Sequence, residues 1–373
     1  MKAGFGAATI TPEPPVYLAG FGARTEPAQS VHDDLEASAA FLADGETSMC
    51  LIVCDLLGMT PDVSMPIREA VASALGVARA NVVLACTHTH AGPSLIAGSE
   101  AIGWPTPAGY ADFVRDRCVT AAVAAGDAAA ETSLRFLRAP LPNGIAFNRR
   151  GGDYDGPTFS VLEAVGTGFI ANFGIHPVLL GPDWLEVATD WIGPFRRELA
   201  ALAGGTAIEL TGALGDINPT PPSGKPGDTY APWASPEQTA DYGKRLARLV
   251  ADALPGAGPV EGPLAVLREE SIDVPVGGTA IAALHGAPRM HVELVEWSIG
   301  DVRLVSVPGE AFHALGREIC AVRNDRVLLA GLAPWHGYLP HPYGDGYEEG
   351  VSYGPDAVAA IRRALVDAVK DVE

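Results

Sequence analysis

Short apolar runs that end in polar turns alternate with helical patterns along most of this chain, and this alternation limits the possible folds more than any other feature. It predicts helices packed in layers against a sheet. Several predicted strands follow one another without a helix between them, which favours a mixed sheet over a purely parallel one. We therefore expect an α/β fold, with residues 1–373 forming a single large mixed-sheet domain with flanking helices.

The bounds of these elements follow from where each apolar pattern starts and stops. One helix has a clear start signal, with Ser235 as the N-cap, Pro236 in the first turn and Gln238 at the third helical position. The predicted strands are Ala39–Ala43, Met49–Asp55, Asn81–Cys86, Ser133–Leu137, Gly168–Phe173, Ala207–Thr211, Leu264–Ile272, Val292–Ile299, Val302–Val307 and Val327–Leu332. The predicted helices are Pro61–Leu75, Tyr110–Ala130, Gly193–Ala203, Pro236–Ala253, Gly309–Val322 and Pro355–Lys370.

The charge balance excludes several classes of function. The chain has 25 Lys and Arg against 45 Asp and Glu, a formal net charge of −20. Such a surface repels phosphate backbones and anionic lipid, so we expect no nucleic-acid partner and no membrane. No apolar run approaches the ~20 residues of a membrane helix, and the first residues do not read as a signal peptide. We expect a cytoplasmic protein, and the sequence leaves its oligomeric state open.

The cysteines do not predict a metal or redox site. They are odd in number, and none is spaced as CxxC. We expect buried free thiols. The five residues are Cys50, Cys54, Cys86, Cys118 and Cys320.

Two loops are too rich in Gly and Pro for regular structure. They are Ala91–Gly109 and Pro219–Pro232, and each follows a polar cluster at a predicted strand end. Long irregular loops in compact domains often form the wall of a pocket. A plain surface excursion is the alternative for both.

The strongest local signal is a pair of histidines one residue apart. Thr87-His88-Thr89-His90 follows the apolar run Val82–Ala85 and precedes a Gly-Pro turn. Residues two apart on a strand point to the same face, so we expect His88 and His90 to converge. Two imidazoles at a strand end commonly begin a metal site. A hydrogen-bonded surface pair is the alternative.

Further polar groups collect where other apolar runs end, which is where α/β folds place their sites. Together they form a set of nitrogen and oxygen ligands without thiolates, which suits a catalytic Zn²⁺ with an open coordination position. The groups are His176 before Pro177, Asp216 and Asn218 in one turn, Glu310 after Pro308-Gly309, and Tyr338 with Tyr343, Tyr347 and Tyr353 behind it.

Two aspartates are candidates to orient the histidines by hydrogen bonds. Asp55 follows the apolar run Met49–Cys54, and Asp190 lies in Ala188-Thr189-Asp190-Trp191. A buried structural hydrogen bond is the alternative for each.

At these residues the chain resembles the neutral/alkaline ceramidase family, specifically its catalytic N-terminal domain. The resemblance covers essentially the whole chain and implies the fold and the amide-hydrolase chemistry of that family. The chain ends after the helix predicted from Pro355, so we expect no C-terminal immunoglobulin-like domain. The matching segments, in family order, are Ala7–Pro12, Val31–Leu35, Thr87–Pro93, Asn148-Arg149, Gly174–Pro177, Gly215–Pro219 and Val307–Glu310.

The resemblance also implies a ligand set for one zinc ion. In the family the ion is held by two histidines, a glutamate and a tyrosine. By motif these ligands fall on His88, His176, Glu310 and Tyr338.

Four further site residues are implied in the same way. His90 and Arg149 resemble the groups that bind the substrate carbonyl, and Tyr353 matches a further tyrosine of the site better than Tyr347 does. Asn218 stands where the family has a serine proposed to take part in catalysis. This departure predicts a substrate other than ceramide.

The leading hypothesis is therefore a zinc-dependent hydrolase. It would cleave an amide, a lactam or another small acyl compound by attack of zinc-bound water, with a small molecule as its substrate. A catalytically silent binding protein on the same fold is one alternative. The other is a two-metal phosphoesterase that uses Asp55, His88, His90, His176, Asp190 and Asp216.

Overall fold

The computed structural model describes residues 1–151, 156–221, 233–280, 286–333 and 337–367. Its strands are, in chain order, β1 (Lys2–Thr9), β2 (Ser30–Val31), β3 (Glu36–Ala43), β4 (Ser48–Cys54), β5 (Val82–Cys86), β6 (Ala130–Glu131), β7 (Leu134–Pro140), β8 (Ala146–Asn148), β9 (Thr158–Ala164), β10 (Gly168–Phe173), β11 (Glu186–Val187), β12 (Thr206–Thr211), β13 (Ile217–Pro219), β14 (Gly258–Pro259), β15 (Leu264–Pro275), β16 (Arg289–Ile299), β17 (Val302–Ser306), β18 (Glu310–Ala311), β19 (Val327–Ala330) and β20 (Tyr338–Leu339).

The longer helices lie on both outer faces of the sheets. A π-helical turn, Arg363–Asp367, follows the last of them. The α-helices are α1 (Pro61–Leu75), α2 (Tyr110–Asp127), α3 (Ile192–Ala203), α4 (Pro236–Ala253), α5 (His313–Ala321), α6 (Tyr347–Gly350) and α7 (Pro355–Arg362).

Three mixed sheets form the centre of the fold. Their strand orders are β5-β4-β3-β1-β6, β12-β10-β9-β7-β14 and β15-β16-β17-β19. Each contains one parallel pair: β4 with β5, β10 with β12, and β17 with β19. The expected mixed α/β architecture is confirmed.

Strand β4 shows how the layers stack. Cys50, Ile52 and Cys54 pack in a core with α1 and α2, whereas Met49 and Leu51 pack with residues of the other two sheets. Both faces of β4 are therefore buried, which accounts for its continuous apolar run. Helices α3 and α4 cover the second sheet, and α5 and α7 cover the third. The result is four layers, with helices outside and sheets inside.

Several element predictions are confirmed closely. The predicted bounds of β10, α1 and α4 are those of the structure. Ser235 and Gln238 form the expected capping box. The five cysteines are free and buried, as expected. Residues 368–370 of the last predicted helix lie outside the described residues.

Two long strands, β1 and β9, are absent from the sequence prediction. Strand β1 is rich in Gly and Ala, which have low strand propensity. Its glycines serve contact with α2: a Cβ at Gly4 would lie 2.1 Å from the carbonyl oxygen of Ala125, and one at Gly6 would lie 2.4 Å from that of Ala121. In β9, Ser160 and Glu163 interrupt the apolar pattern.

The sequence predicts a helix that starts at Gly309, and this start is wrong, because α5 begins at His313. Gly309 has a φ of +135°, and a Cβ there would lie 2.5 Å from the carbonyl oxygen of Gly337. The backbone of Glu310 instead pairs in parallel with that of Tyr338. This pairing brings two candidate ligands together from distant parts of the sequence.

The polar turns that follow β5, β10, β12 and β17 meet at one edge of the sheets, because these strands end there.

Within the described ranges, no helix is both long and apolar enough to cross a membrane.

Candidate metal centre

His88 lies two residues beyond the end of β5, and its backbone is left-handed with a φ of +67°. The strand alternation expected for His88 and His90 therefore does not apply, although their rings do converge, with centroids 4.9 Å apart. Nδ1 of His88 donates to the carbonyl oxygen of Leu57 at 2.7 Å. In the neutral ring that nitrogen therefore holds the proton, and Nε2 presents a lone pair.

His176 follows β10 and is fully buried. Its Nδ1 donates to the carbonyl oxygen of Ile217 at 3.1 Å, so its Nε2 also presents a lone pair. The indole of Trp191 donates to the main-chain carbonyl oxygen of His176 at 3.2 Å. Burial, with the nearby positive charge of Arg149, lowers the pKa of His176 to about 4. The ring is therefore neutral near pH 7.

Glu310 brings a carboxylate to both histidines. Its Oε2 lies 3.2 Å from Nε2 of His176 and 3.3 Å from Nε2 of His88. Burial opposes ionisation of Glu310, whereas positive charge on the two imidazoles favours it and holds the pKa of the carboxyl well below its usual range. When both rings are neutral, a bound cation would take over that role. Two lone pairs and an anionic oxygen thus meet in a buried place, and a cation relieves their repulsion. The donor set fits a metal ion.

Tyr338 lies beside this cluster and is bound by Arg149. One guanidinium nitrogen of Arg149 donates to the Tyr338 hydroxyl at 2.9 Å and to the carbonyl oxygen of Gly215 at 2.8 Å. Another donates to Glu348 at 2.9 Å. Burial, with the charge of Glu310, raises the pKa of Tyr338, and Arg149 opposes that shift.

Asn218 lies at the far side of Arg149, where its Oδ1 accepts from the guanidinium at 3.4 Å. Neither Arg149 nor Asn218 is among the described residues that line the cavity below. The structure therefore places Arg149 beside Tyr338, and Asn218 against Arg149.

His90 differs from the other two histidines, because neither ring nitrogen has a hydrogen-bond partner among the described residues, although both atoms are buried. Burial, with the neighbouring His88 and His176, holds the pKa of His90 well below its usual value. The ligand atoms of the three histidines all lie within 4.8 Å of one another. His90 is thus close enough to be either a third nitrogen ligand or a group that contacts a substrate.

The tyrosines near the site take different positions. Tyr353 is buried and lies against Gly337, where burial raises the pKa of its hydroxyl. Tyr347 is 71% exposed, and its ring centroid lies 6.3 Å from that of Tyr338. Both rings line the cavity.

The aspartates expected to orient the histidines have structural partners instead. Asp55 accepts two hydrogen bonds from Arg196 and one from the Glu36 amide. Asp190 accepts from the amides of Leu180 and Trp191. The carbonyl groups that accept from the histidine rings do the orienting, which confirms the alternative of buried structural hydrogen bonds.

Asp216 is engaged in the same way. It accepts from the amide of His313 at 2.7 Å and from the Asn148 side chain at 2.6 Å. Its two oxygens therefore anchor the turn that follows β12.

A cavity of about 770 Å³ opens onto the cluster. The loop expected to form a pocket wall, Ala91–Gly109, supplies part of its lining. Residues 222–232 of the second loop lie outside the described residues. The lining includes His88, His90, Glu310, Tyr338 and Tyr353, with apolar walls from Leu57, Ile96, Ile102, Trp104, Met290 and Val351.

Sequence reasoning missed two residues that hold the site together. Glu348 pairs with both Arg149 and Arg150. Arg24 donates to the main-chain carbonyl oxygen of His90 at 2.9 Å. Neither belongs to a local motif, and their partners are distant in the sequence, so no pattern pointed to them.

Comparison with known proteins identifies the fold. A neutral ceramidase from Pseudomonas aeruginosa aligns with 100% of this chain and 74% of its own, with a TM-score of 0.83 and 18% sequence identity. A ceramidase complexed with C2 aligns with 100% of this chain and 75% of its own, with a TM-score of 0.82 and 18% identity. No family model and no curated protein matches the sequence. The fold expected from the resemblance is confirmed.

Proposed function

We propose that this chain is a zinc-dependent hydrolase that cleaves an amide bond. The observation that carries the proposal is the meeting of Nε2 of His88, Nε2 of His176 and Oε2 of Glu310 at the wall of a largely apolar cavity. We assign Tyr338, the backbone partner of Glu310, as the fourth ligand. The ceramidase fold supports the same reaction class.

The ligand types suit a catalytic zinc site with one open position. The chemistry that zinc supplies in such a site is a hydroxide nucleophile near neutral pH, because the pKa of water falls to ~7. The carbonyl groups of Leu57 and Ile217 hold the ring protons of His88 and His176 away from the cluster. Both imidazoles are therefore prepared to act as ligands without losing a proton.

We assign Arg149 a role on Tyr338. Its hydrogen bond to the phenol oxygen stabilises a negative charge there and fixes the ring. Glu348 and the carbonyl oxygen of Gly215 hold the guanidinium in place. Asn218 adds a longer contact to the same group, so its place in the turn is compatible with an active site.

We assign His90 to the substrate carbonyl. Its ring lies at the cavity wall beside His88, and its nitrogens have no other partner among the described residues. One N–H of the neutral ring can donate to the oxygen that gains negative charge during attack on the carbonyl. His90 and Tyr353 both remain candidates for the group that protonates the leaving amine.

The cavity indicates the kind of amide. Its volume falls within the range that holds a molecule of drug size. Because the walls away from the cluster are mainly apolar, we propose a substrate with an apolar acyl or ring portion next to the reacting carbonyl. Because Asn218 stands where the ceramidase family has a serine, we propose a substrate other than ceramide.

The two-metal phosphoesterase has less support. Asp55, Asp190 and Asp216 are each satisfied by amide, guanidinium or side-chain amide donors. Within the described ranges, histidine, cysteine and carboxylate side chains come close enough to hold an ion at one place, around His88, His90 and His176. A second ion has no comparable cluster there.

Hydrolysis with and without metal tests the proposal. The protein is stripped with a chelator, reloaded with zinc, and assayed on p-nitroanilides of acyl chains from acetyl to dodecanoyl and on p-nitrophenyl phosphate. We expect anilide cleavage that returns with zinc and is lost in Glu310→Gln. The matched control is Glu318→Gln, because Glu318 is a glutamate bound to His341 and Arg362. Phosphate cleavage would favour the phosphoesterase, and bound zinc without any turnover would favour the silent binding protein.

A further inference from the structure

Arg24 is a buried arginine whose guanidinium hydrogen bonds, among the described residues, all go to main-chain carbonyl groups. Its side chain is 7% exposed. Every guanidinium nitrogen donates, and the acceptors belong to three separate segments of the chain. They are the carbonyl oxygens of Leu18, Ala19, His90, Gly181 and Pro182, at 2.9–3.3 Å.

The shortest of these hydrogen bonds, 2.9 Å, goes to the carbonyl oxygen of His90. The same guanidinium lies over the ring of Phe21, with 5.2 Å from its carbon to the ring centroid. Phe21 in turn meets the imidazole of His90 edge-on, with centroids 4.8 Å apart. Arg24 therefore contacts both the main chain of His90 and the aromatic ring that packs on its side chain.

Gly20 closes the other side of this arrangement. Its φ is +105°, and a Cβ there would lie 2.4 Å from Cγ and Nδ1 of His90. The main chain at Gly20 thus packs directly on the imidazole. No larger residue fits at this position without displacing the ring.

His90 needs such support because hydrogen bonds do not hold its ring. The rings of His88 and His176 are each fixed by a bond from Nδ1 to a carbonyl group. The two ring nitrogens of His90 have no partner within the described ranges. Packing sets its orientation instead, against Gly20 and Phe21 on one side and the rings of His88 and His176 on the other.

We infer that Arg24 is the positioning residue for His90, acting by fixing residues 18–24 against the imidazole and by holding the carbonyl group of residue 90. The inference rests on the proposed function only for the consequence that His90 contacts substrate. Arginine suits the task because its five N–H donors form a rigid fork, whereas lysine has one rotating ammonium group.

Histidine-selective NMR of the full chain tests the inference without needing a substrate. The imidazole signals of protein with ¹³C-labelled histidine are recorded, with the His90 signal assigned from a His90→Gln variant. We expect Arg24→Met to shift or broaden the His90 signal while the signals of His88 and His176 stay in place. Arg24→Lys should give a smaller change of the same kind, and it serves as the test if Arg24→Met does not fold.

Arg323 supplies the matched control. It is also 7% exposed and donates to the carbonyl groups of Ile319 and Leu365 and to Glu296. An unmoved His90 signal in a folded Arg24 variant would overturn the inference. So would equal movement of all three histidine signals, or the same movement in Arg323→Lys.

Zinc content and turnover give a second readout. We expect Arg24→Lys to keep the zinc content of the wild type and to lower kcat about 10-fold to 100-fold with little change in KM, since a misplaced group of this kind costs up to ~10² in rate. Unchanged kcat in a variant whose His90 signal has moved would overturn the catalytic consequence. If the wild type shows no hydrolysis, the proposed function fails, and the NMR result still decides the role of Arg24.

Discussion

Glu310 and Tyr338 are backbone partners in a two-residue parallel bridge, and both side chains line the same cavity. The amide of Glu310 donates to the carbonyl oxygen of Gly337 at 2.8 Å. A carboxylate and a phenol from distant parts of the sequence are thereby held on neighbouring strands. The geometry of this bridge is the basis of the proposed ligand set.

Gly309→Ala is expected to disturb that bridge. The added Cβ would lie 2.5 Å from the carbonyl oxygen of Gly337, so the two strands must separate. We predict a fall in zinc affinity on the order of 10-fold to 100-fold, as for the loss of groups that orient ligands. Competition with a chromophoric chelator measures it. Gly45→Ala is the control, because Gly45 also has a positive φ of +99° but no atom within 4 Å of the added Cβ. Equal affinities in the two variants would contradict the prediction.

His90→Gln separates the two roles open to His90. If His90 contacts the substrate oxygen, the variant should keep the zinc content of the wild type. Its kcat should fall by ~10²–10³. The measurement pairs steady-state hydrolysis of the acyl anilides with elemental analysis of the same samples. Loss of zinc from the variant would instead make His90 a ligand, in line with the close approach of the three imidazoles.

Arg196→Met should destabilise the fold strongly. Asp55 is fully buried, and Arg196 binds both of its oxygens. Removing the guanidinium leaves a buried carboxylate without its cation, which typically costs about 3–5 kcal/mol. Urea unfolding at pH 7 of metal-free protein measures the change. Asp55→Asn/Arg196→Met should recover part of the loss, and a single variant as stable as the wild type would contradict the ion-pair account.

The buried carboxyl group of Asp190 should make the free energy of unfolding depend on pH. Burial raises the pKa of its carboxyl from 3.8 to about 6, against the hydrogen bonds from Leu180 and Trp191. The folded state therefore binds this proton more tightly than the unfolded chain does. The contribution of Asp190 to stability is full below about pH 4 and is lost as the pH rises through 6.

Asp190→Asn removes this dependence. Between pH 4 and pH 8, its free energy of unfolding should rise relative to the wild type by about 2–3 kcal/mol, since the pKa shift is about two units and each unit is worth ~1.4 kcal/mol. Urea titrations of both proteins across this range make the comparison. The lost acceptor affects the variant at every pH and so cancels from the difference. Parallel curves for the two proteins would contradict the prediction.

Much of the fold follows from periodicity in the sequence. The continuous apolar run of β4 and the capped start of α4 each produce the expected element. Strand β1 could not be predicted in this way, because its Gly and Ala residues are explained only by the close packing of its backbone against α2. The bridge of Glu310 with Tyr338 likewise depends on a contact between distant segments.

The candidate site was predictable in its composition and less so in its geometry. Histidines at strand ends were visible in the sequence, but the left-handed backbone of His88 was not. The carbonyl groups that orient His88 and His176 carry no sequence signal, since every residue has one. For the same reason no sequence signal pointed to Arg24, since its described hydrogen-bond acceptors are all main-chain carbonyl groups.

The most direct test of the account is the metal content of the purified protein. Elemental analysis is made on the wild type and on a His88→Ala/His176→Ala variant, with folding checked by circular dichroism. The account predicts about one zinc ion per chain in the wild type and none in the variant. No zinc in the wild type, or equal zinc in both proteins, would contradict it.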